Sequence, residues 1–201
     1  MLKNLFSQEG FLWKGLNLLT DILFLSVIWS LLCLLVIPIG PATTALYDAV
    51  VHGIRCREPV VYPRFLKTFR AEFKNAFLSS LLWGVLILAG VLTVRYLLAL
   101  GETSRSAFAA GIAYYVVLIV PLGSACWVFP ILSRFTFDFG SLNKTAFRFT
   151  FAYLPRTLIL VLLTIEVLQW SLNYLFPFLF MPALTMLLWS LFIEPVFEKY
   201  Q

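Results

Sequence analysis

Charge is what this sequence has least of. Only 12% of its residues are Asp, Glu, Lys or Arg, about half the share in soluble domains. With 61% hydrophobic residues and a mean hydropathy of +0.92, a soluble globular fold is excluded. Histidine occurs once, at His52, with no second ligand at metal spacing, so a zinc site has little to build on. Cys33, Cys56 and Cys126 lie far apart with no CxxC pair and read as small hydrophobes rather than redox or metal groups. The chain has no P-loop, no dinucleotide-binding glycine pattern and no HExxH. No nucleophile and base are spaced as a catalytic set. A non-enzymatic protein without cofactor or metal is the expectation. Period-two alternation is missing from the apolar stretches, which argues against a β-barrel.

What is present is a series of long apolar runs. A span needs roughly 20 residues, and the chain supplies five, at about 16–37, 76–94, 107–132, 157–174 and 178–193. The expected fold is an all-α integral membrane bundle forming one transmembrane domain over 1–201. Short amphipathic helices are expected at the membrane surface, at about 42–55, 63–75 and 143–153. Residues 2–13 read as an interfacial lead, and the first span as a retained helix rather than a cleaved signal. The +5 net charge needs no nucleic-acid partner, because membrane proteins gather Lys and Arg on their cytoplasmic side.

The run from Pro38 to Tyr47 organises the rest. Pro38 and Pro41 lack backbone donors and should end the first span; Gly40 gives the chain room to turn, and Pro41 suits the first turn of a new helix. Pro38, Gly40, Pro41, Thr43, Thr44 and Tyr47 are therefore taken as a helix-corner motif. The small residues Ala42, Ala45, Ala49 and Gly53 recur at helical spacing, which suits close helix packing. Beyond a connector around Pro59, a basic helix follows. Phe65, Phe69, Phe73 and Phe77 share one sector, and Arg64, Lys67, Arg70 and Lys74 a neighbouring one. With Asn75, and with Arg134 and Phe135 further on, these form a candidate face for docking or for anionic lipid. The helix is expected to run unbroken into the second span. Pro121 is a candidate kink in the third.

Eleven Lys and Arg fall in 38–75, 133–156 and the C-terminal tail, against Lys3, Lys14, Arg95 and Arg105 on the other side. That imbalance places the two basic segments in the cytoplasm, with the N-terminus outside and the C-terminus inside. Three charges lie within the spans. Glu166, ten residues into the fourth, is about 15 Å along the helix and so near mid-membrane. It is either an ion or proton relay or a protonated group that helps helices associate. Asp21 and Arg95 are both expected toward the outer side, where they would pair.

The Pro38–Tyr47 run resembles the GPATTALY signature of the YesL-like family of bacterial membrane proteins of unknown function. The basic helix with Phe65, Phe69 and Phe73-Lys74-Asn75 follows in the same order, and Phe129 to Phe135 resembles that family's second motif. The resemblance implies a bacterial inner membrane, about five helices and a genomic association with carbohydrate uptake. On it rests the leading expectation, an accessory subunit that docks on permease subunits of a carbohydrate ABC importer, with membrane lipid as the other partner. The alternatives are a small transporter or channel using Glu166 and the broken helices, and a membrane-tethered assembly or signalling adaptor.

Overall fold

The computed structural model describes residues 11–56, 61–102, 104–174 and 176–200, and these contain helices and no strand. We number the α-helices α1 Phe11–Cys33, α2 Ile39–Ala49, α3 Val61–Ala71, α4 Phe73–Gly101, α5 Arg105–Arg134, α6 Phe139–Ala152, α7 Leu154–Asn173 and α8 Met181–Phe197. A π-helical turn, Val50–Arg55, extends α2, and a 3-10 turn, Phe176–Leu179, precedes α8. Four helices are long and apolar enough to cross a membrane: α1, α4, α5 and α7. The fifth expected span is the shorter α8. The expected interfacial residues 2–10 and the connector around Arg57 and Pro59 lie outside the described residues.

Several boundaries move, each for a local reason. α1 stops at Cys33, and the apolar turn Leu34–Ile37 is exposed, with Val36 at φ 60°. The basic helix does not run unbroken into the next span: it bends at Glu72, and α4 starts at Phe73. α5 passes through Pro121 and Pro130 as one continuous helix. α8 continues past Glu194-Pro195 to Phe197, where the chain closes with a bond from the Glu198 N–H to the Glu194 carbonyl.

The largest departure concerns α2. Every residue from Gly40 to Ala49 is buried, so this helix is the middle of the bundle and not a surface helix. Its small residues make that place available. A Cβ on Gly40 would stand 2.5 Å from the Ala76 carbonyl oxygen and 2.6 Å from Ser80 Cβ, so the α2 backbone lies directly on α4. Gly123 does the same for α5, where a Cβ would collide with Thr157 Cγ2 of α7.

Polar side chains join the helices where apolar packing gives no direction. Trp83 Nε1 donates to Asn143 Oδ1 at 2.7 Å, tying α4 to α6. Trp127 Nε1 donates to Thr157 Oγ1 at 2.9 Å, tying α5 to α7. Ser26 of α1 accepts the Ala183 backbone N–H at 3.1 Å. That satisfies one of the donors a helix leaves open in its first turn, here of α8. Asn75 Nδ2 reaches the Phe137 carbonyl at 3.4 Å. The two basic segments thus meet at one end of the bundle, which we call the basic end.

Candidate functional site: a buried ionic corner

Five elements converge on the inner side of the basic end. α2 contributes Tyr47 and Asp48, and the π turn contributes His52. α3 brings Arg64 and Thr68, α5 its last residue Arg134, and α8 Glu194. Asp48 is 3% exposed and Glu194 6%, a depth at which carboxylates are kept only when paired.

Asp48 Oδ2 accepts from Arg64 Nε at 3.0 Å and from Thr68 Oγ1 at 2.6 Å. Arg64 and Thr68 are one turn apart on α3, so a single oxygen holds that helix to α2 in one register. His52, one turn beyond Asp48, has Nδ1 3.1 Å from the Asp48 carbonyl oxygen and 2.9 Å from Asp48 Oδ1. The directed bond goes to the carbonyl. Oδ1 lies beside the ring but accepts no directed hydrogen bond from the described residues. The other ring nitrogen, Nε2, stands 3.1 Å from Arg134 Nη1. A guanidinium can only donate, so Nε2 accepts, Nδ1 carries the proton and His52 is neutral in this arrangement.

Arg134 completes the chain of contacts. Its Nη2 is paired with Glu194 Oε2, and its Nε donates to Oε1 at 3.3 Å. This is the two-pronged geometry that suits arginine against a carboxylate. The Tyr47 hydroxyl donates to the same Oε1 at 3.0 Å. Burial, and then the adjacent Glu194 carboxylate, hold the Tyr47 phenol well above its ordinary pKa, so it remains a donor. Arg55 caps the neighbouring turn by donating to the Ser190 carbonyl at 2.7 Å.

The corner balances two buried carboxylates with two guanidinium groups and a neutral imidazole. Its described residues present no free nucleophile. Among the described residues, no three of His, Cys, Asp and Glu are grouped so as to hold a metal ion. Its chemistry is that of a clamp: removing one member leaves its partner charged and buried, the costly case for such pairs.

The residues singled out from the sequence separate into two groups. The corner motif does assemble. Thr43 accepts from Trp29 Nε1 at 3.2 Å, Thr44 bonds back to the Gly40 carbonyl at 3.2 Å, and Tyr47 enters the ionic corner. The docking face does not hold together as expected. Arg64 and Arg134 turn inward to Asp48 and Glu194, Phe65 is buried, and Phe135 packs on Phe197 with ring centroids 5.4 Å apart. Lys67, Arg70, Phe73 and Lys74 remain exposed, with Phe69 and Asn75 half-buried beside them. Phe65, Phe69, Phe73 and Phe77 do form a ladder, at 6.3, 5.4 and 6.3 Å between successive rings.

The structure does not bring together the three charges assigned to the spans. Glu166 is exposed on the outer surface of α7. Asp21 does not pair with Arg95; its Oδ1 accepts from the Tyr62 hydroxyl at 2.9 Å. Desolvation, and then Asp21, push the Tyr62 phenol up to about 12. Phe24 packs edge-on against the same ring, so the middle of α1 lies beside the basic helix α3. An arrangement with Asp21 at the end opposite α3 does not fit that contact. Arg95 is exposed on α4.

Sequence reasoning passed over Asp48, His52, Thr68 and Glu194 as a set. The signals were faint: Asp48 and His52, like Arg64 and Thr68, are spaced one helical turn apart, and Glu194 falls one residue past the expected fifth span.

The fold and the corner together define a helical membrane protein whose polar interior is an internal clamp. Within that class, residues 18–96 match the family model described as "Protein of unknown function, DUF624". The matched stretch takes in α2, the π turn and α3, the elements that carry Asp48, His52 and Arg64. No curated protein and no solved structure matches the chain.

Proposed function

We propose that the protein is a non-enzymatic accessory subunit of a bacterial inner membrane, docking through its basic end onto the permease subunits of a carbohydrate ABC importer. One observation carries the docking reading: the basic end divides its cations between two tasks. Arg64 and Arg134 are consumed by the buried clamp, whereas Lys67, Arg70, Lys74, Lys144 and Arg148 stay exposed on α3, α4 and α6. A clamp that fixes α2, α3, α5 and α8 against one another gives those cations a rigid base, as a docking surface requires. The carbohydrate assignment rests on the resemblance of Pro38–Tyr47 to the YesL-like signature. By the excess of Lys and Arg, the basic end is cytoplasmic.

The experiment is purification from native membranes in mild detergent, with co-purifying proteins identified. Permease subunits are expected with the wild type and absent from a Lys67→Glu/Arg70→Glu/Lys74→Glu variant that still inserts and melts normally. Recovery of the protein alone, with normal sugar uptake in a deletion strain, overturns the reading. Orientation is tested at Cys56, exposed at the end of the π turn. A membrane-impermeant maleimide should label it only when offered from the cytoplasmic side.

The transporter alternative draws less support. Glu166 faces outward rather than along an interior path. A membrane-tethered adaptor would use the same exposed cations, and the co-purified partner distinguishes it.

A further inference from the structure

A cavity of about 260 Å³ lies among α1, α2, α4, α5, α7 and α8. Its wall includes Trp29, Ala125, Phe129, Leu168, Met186 and Trp189. Leu168 is also exposed on the outer surface of α7, so the space opens toward the surface that faces lipid. The threonines of the wall do not make it polar. Thr43, Thr164 and Thr185 each donate to the carbonyl four residues back, at 2.7 Å in every case, leaving their methyl groups for the cavity. No charged side chain among the described residues lines it. A sugar or an anion would lose its water there and gain almost nothing in return. Hydrocarbon fits: an apolar cavity of roughly 150 Å³ already takes up benzene, and this one is larger.

Beside the Ser171 hydroxyl on the wall, an indole donor breaks the apolar pattern. Trp29, Trp83 and Trp127 each donate their indole N–H within the chain. Trp189, 4% exposed and part of the cavity wall, has a buried Nε1 with no acceptor among the described residues. Buried indole N–H groups ordinarily find one. The missing acceptor must be neutral, since no cation among the described residues lines the cavity to balance a phosphate or carboxylate.

From the cavity and this unmatched donor together, we infer that the protein holds one hydrocarbon chain of a membrane lipid between its helices, with a neutral carbonyl oxygen of that lipid accepting from Trp189. This goes beyond the docking reading and does not depend on it. The chain comes from a phospholipid acyl ester or from a single-chain carbonyl lipid, and the mass of the bound molecule tells them apart.

The test is native mass spectrometry of protein extracted from its own membranes, with loosely held lipid removed by stepwise activation. Wild type is expected to keep one lipid after the rest are stripped. Ala125→Phe, which fills the cavity, should abolish retention while the protein still melts cooperatively. Trp189→Phe keeps the ring but removes the donor, and should weaken retention about fivefold, the loss of one neutral hydrogen bond. Wild type that keeps no lipid overturns the inference, as does equal retention in both variants. Should Ala125→Phe fail to fold, unchanged retention in Trp189→Phe is sufficient to overturn it.

Discussion

Glu194 on α8 and Glu166 on α7 are the same side chain on successive helices, yet they live in opposite surroundings. Glu194 is buried and accepts from Arg134 and Tyr47. Glu166 is exposed on a helix face otherwise rich in leucine. Mid-span position made Glu166 the conspicuous residue in one dimension. Three dimensions reverse the ranking, because what matters for a charge is which neighbours other helices bring to it. Asp48 and Asp21 repeat the contrast: the first is gripped by Arg64 and Thr68, whereas among the described residues the second meets a tyrosine hydroxyl near the surface.

That comparison can be broken by substitution, and the largest effect is expected at Glu194. Glu194→Ala strands a buried guanidinium and should lower stability by about 3–5 kcal/mol, read as a drop of roughly 10 °C in thermal melting in detergent. An unchanged melt would show that Arg134 is solvated and that no clamp exists. The double variant Arg134→Met/Glu194→Met sharpens the point. It removes both charges at similar volume and should regain most of the loss.

Next in size is Gly40→Val. Its side chain would collide with α4 backbone at Ala76, at an expected cost of about 2–3 kcal/mol by the same melt. If it is tolerated, α2 does not sit where we place it. Tyr47→Phe keeps the packing and removes one hydrogen bond to a charged group, for about 1.5–2 kcal/mol. The smallest effect is expected at the opposite pole of the comparison. Glu166→Gln should leave the melt within about 2 °C and leave co-purification intact. A large loss there would place Glu166 in an interface that the single chain does not contain.

Much of the fold was legible, and for a plain reason. Long apolar runs have few options in a bilayer, so helix number and approximate bounds follow from composition. The Pro38–Tyr47 block was legible as a corner because proline and glycine act on the local backbone. The docking face was only half legible. A helical wheel puts Arg64 beside Lys67 and Arg70, and nothing local says that Arg64 alone will meet a buried aspartate.

What the chain's residues determined unaided was class and punctuation: a helical membrane bundle, a turn at Pro38, and a cationic bias toward two segments. These are local consequences of hydropathy, backbone dihedrals and charge counts. Tertiary structure alone decided which charges are consumed and which are displayed, and that α2 lies in the core. Pairing Asp48 with Arg64, or Glu194 with Arg134, spans 16 and 60 residues of chain. Only packing of helices that small residues allow to touch can bring such groups within hydrogen-bonding reach.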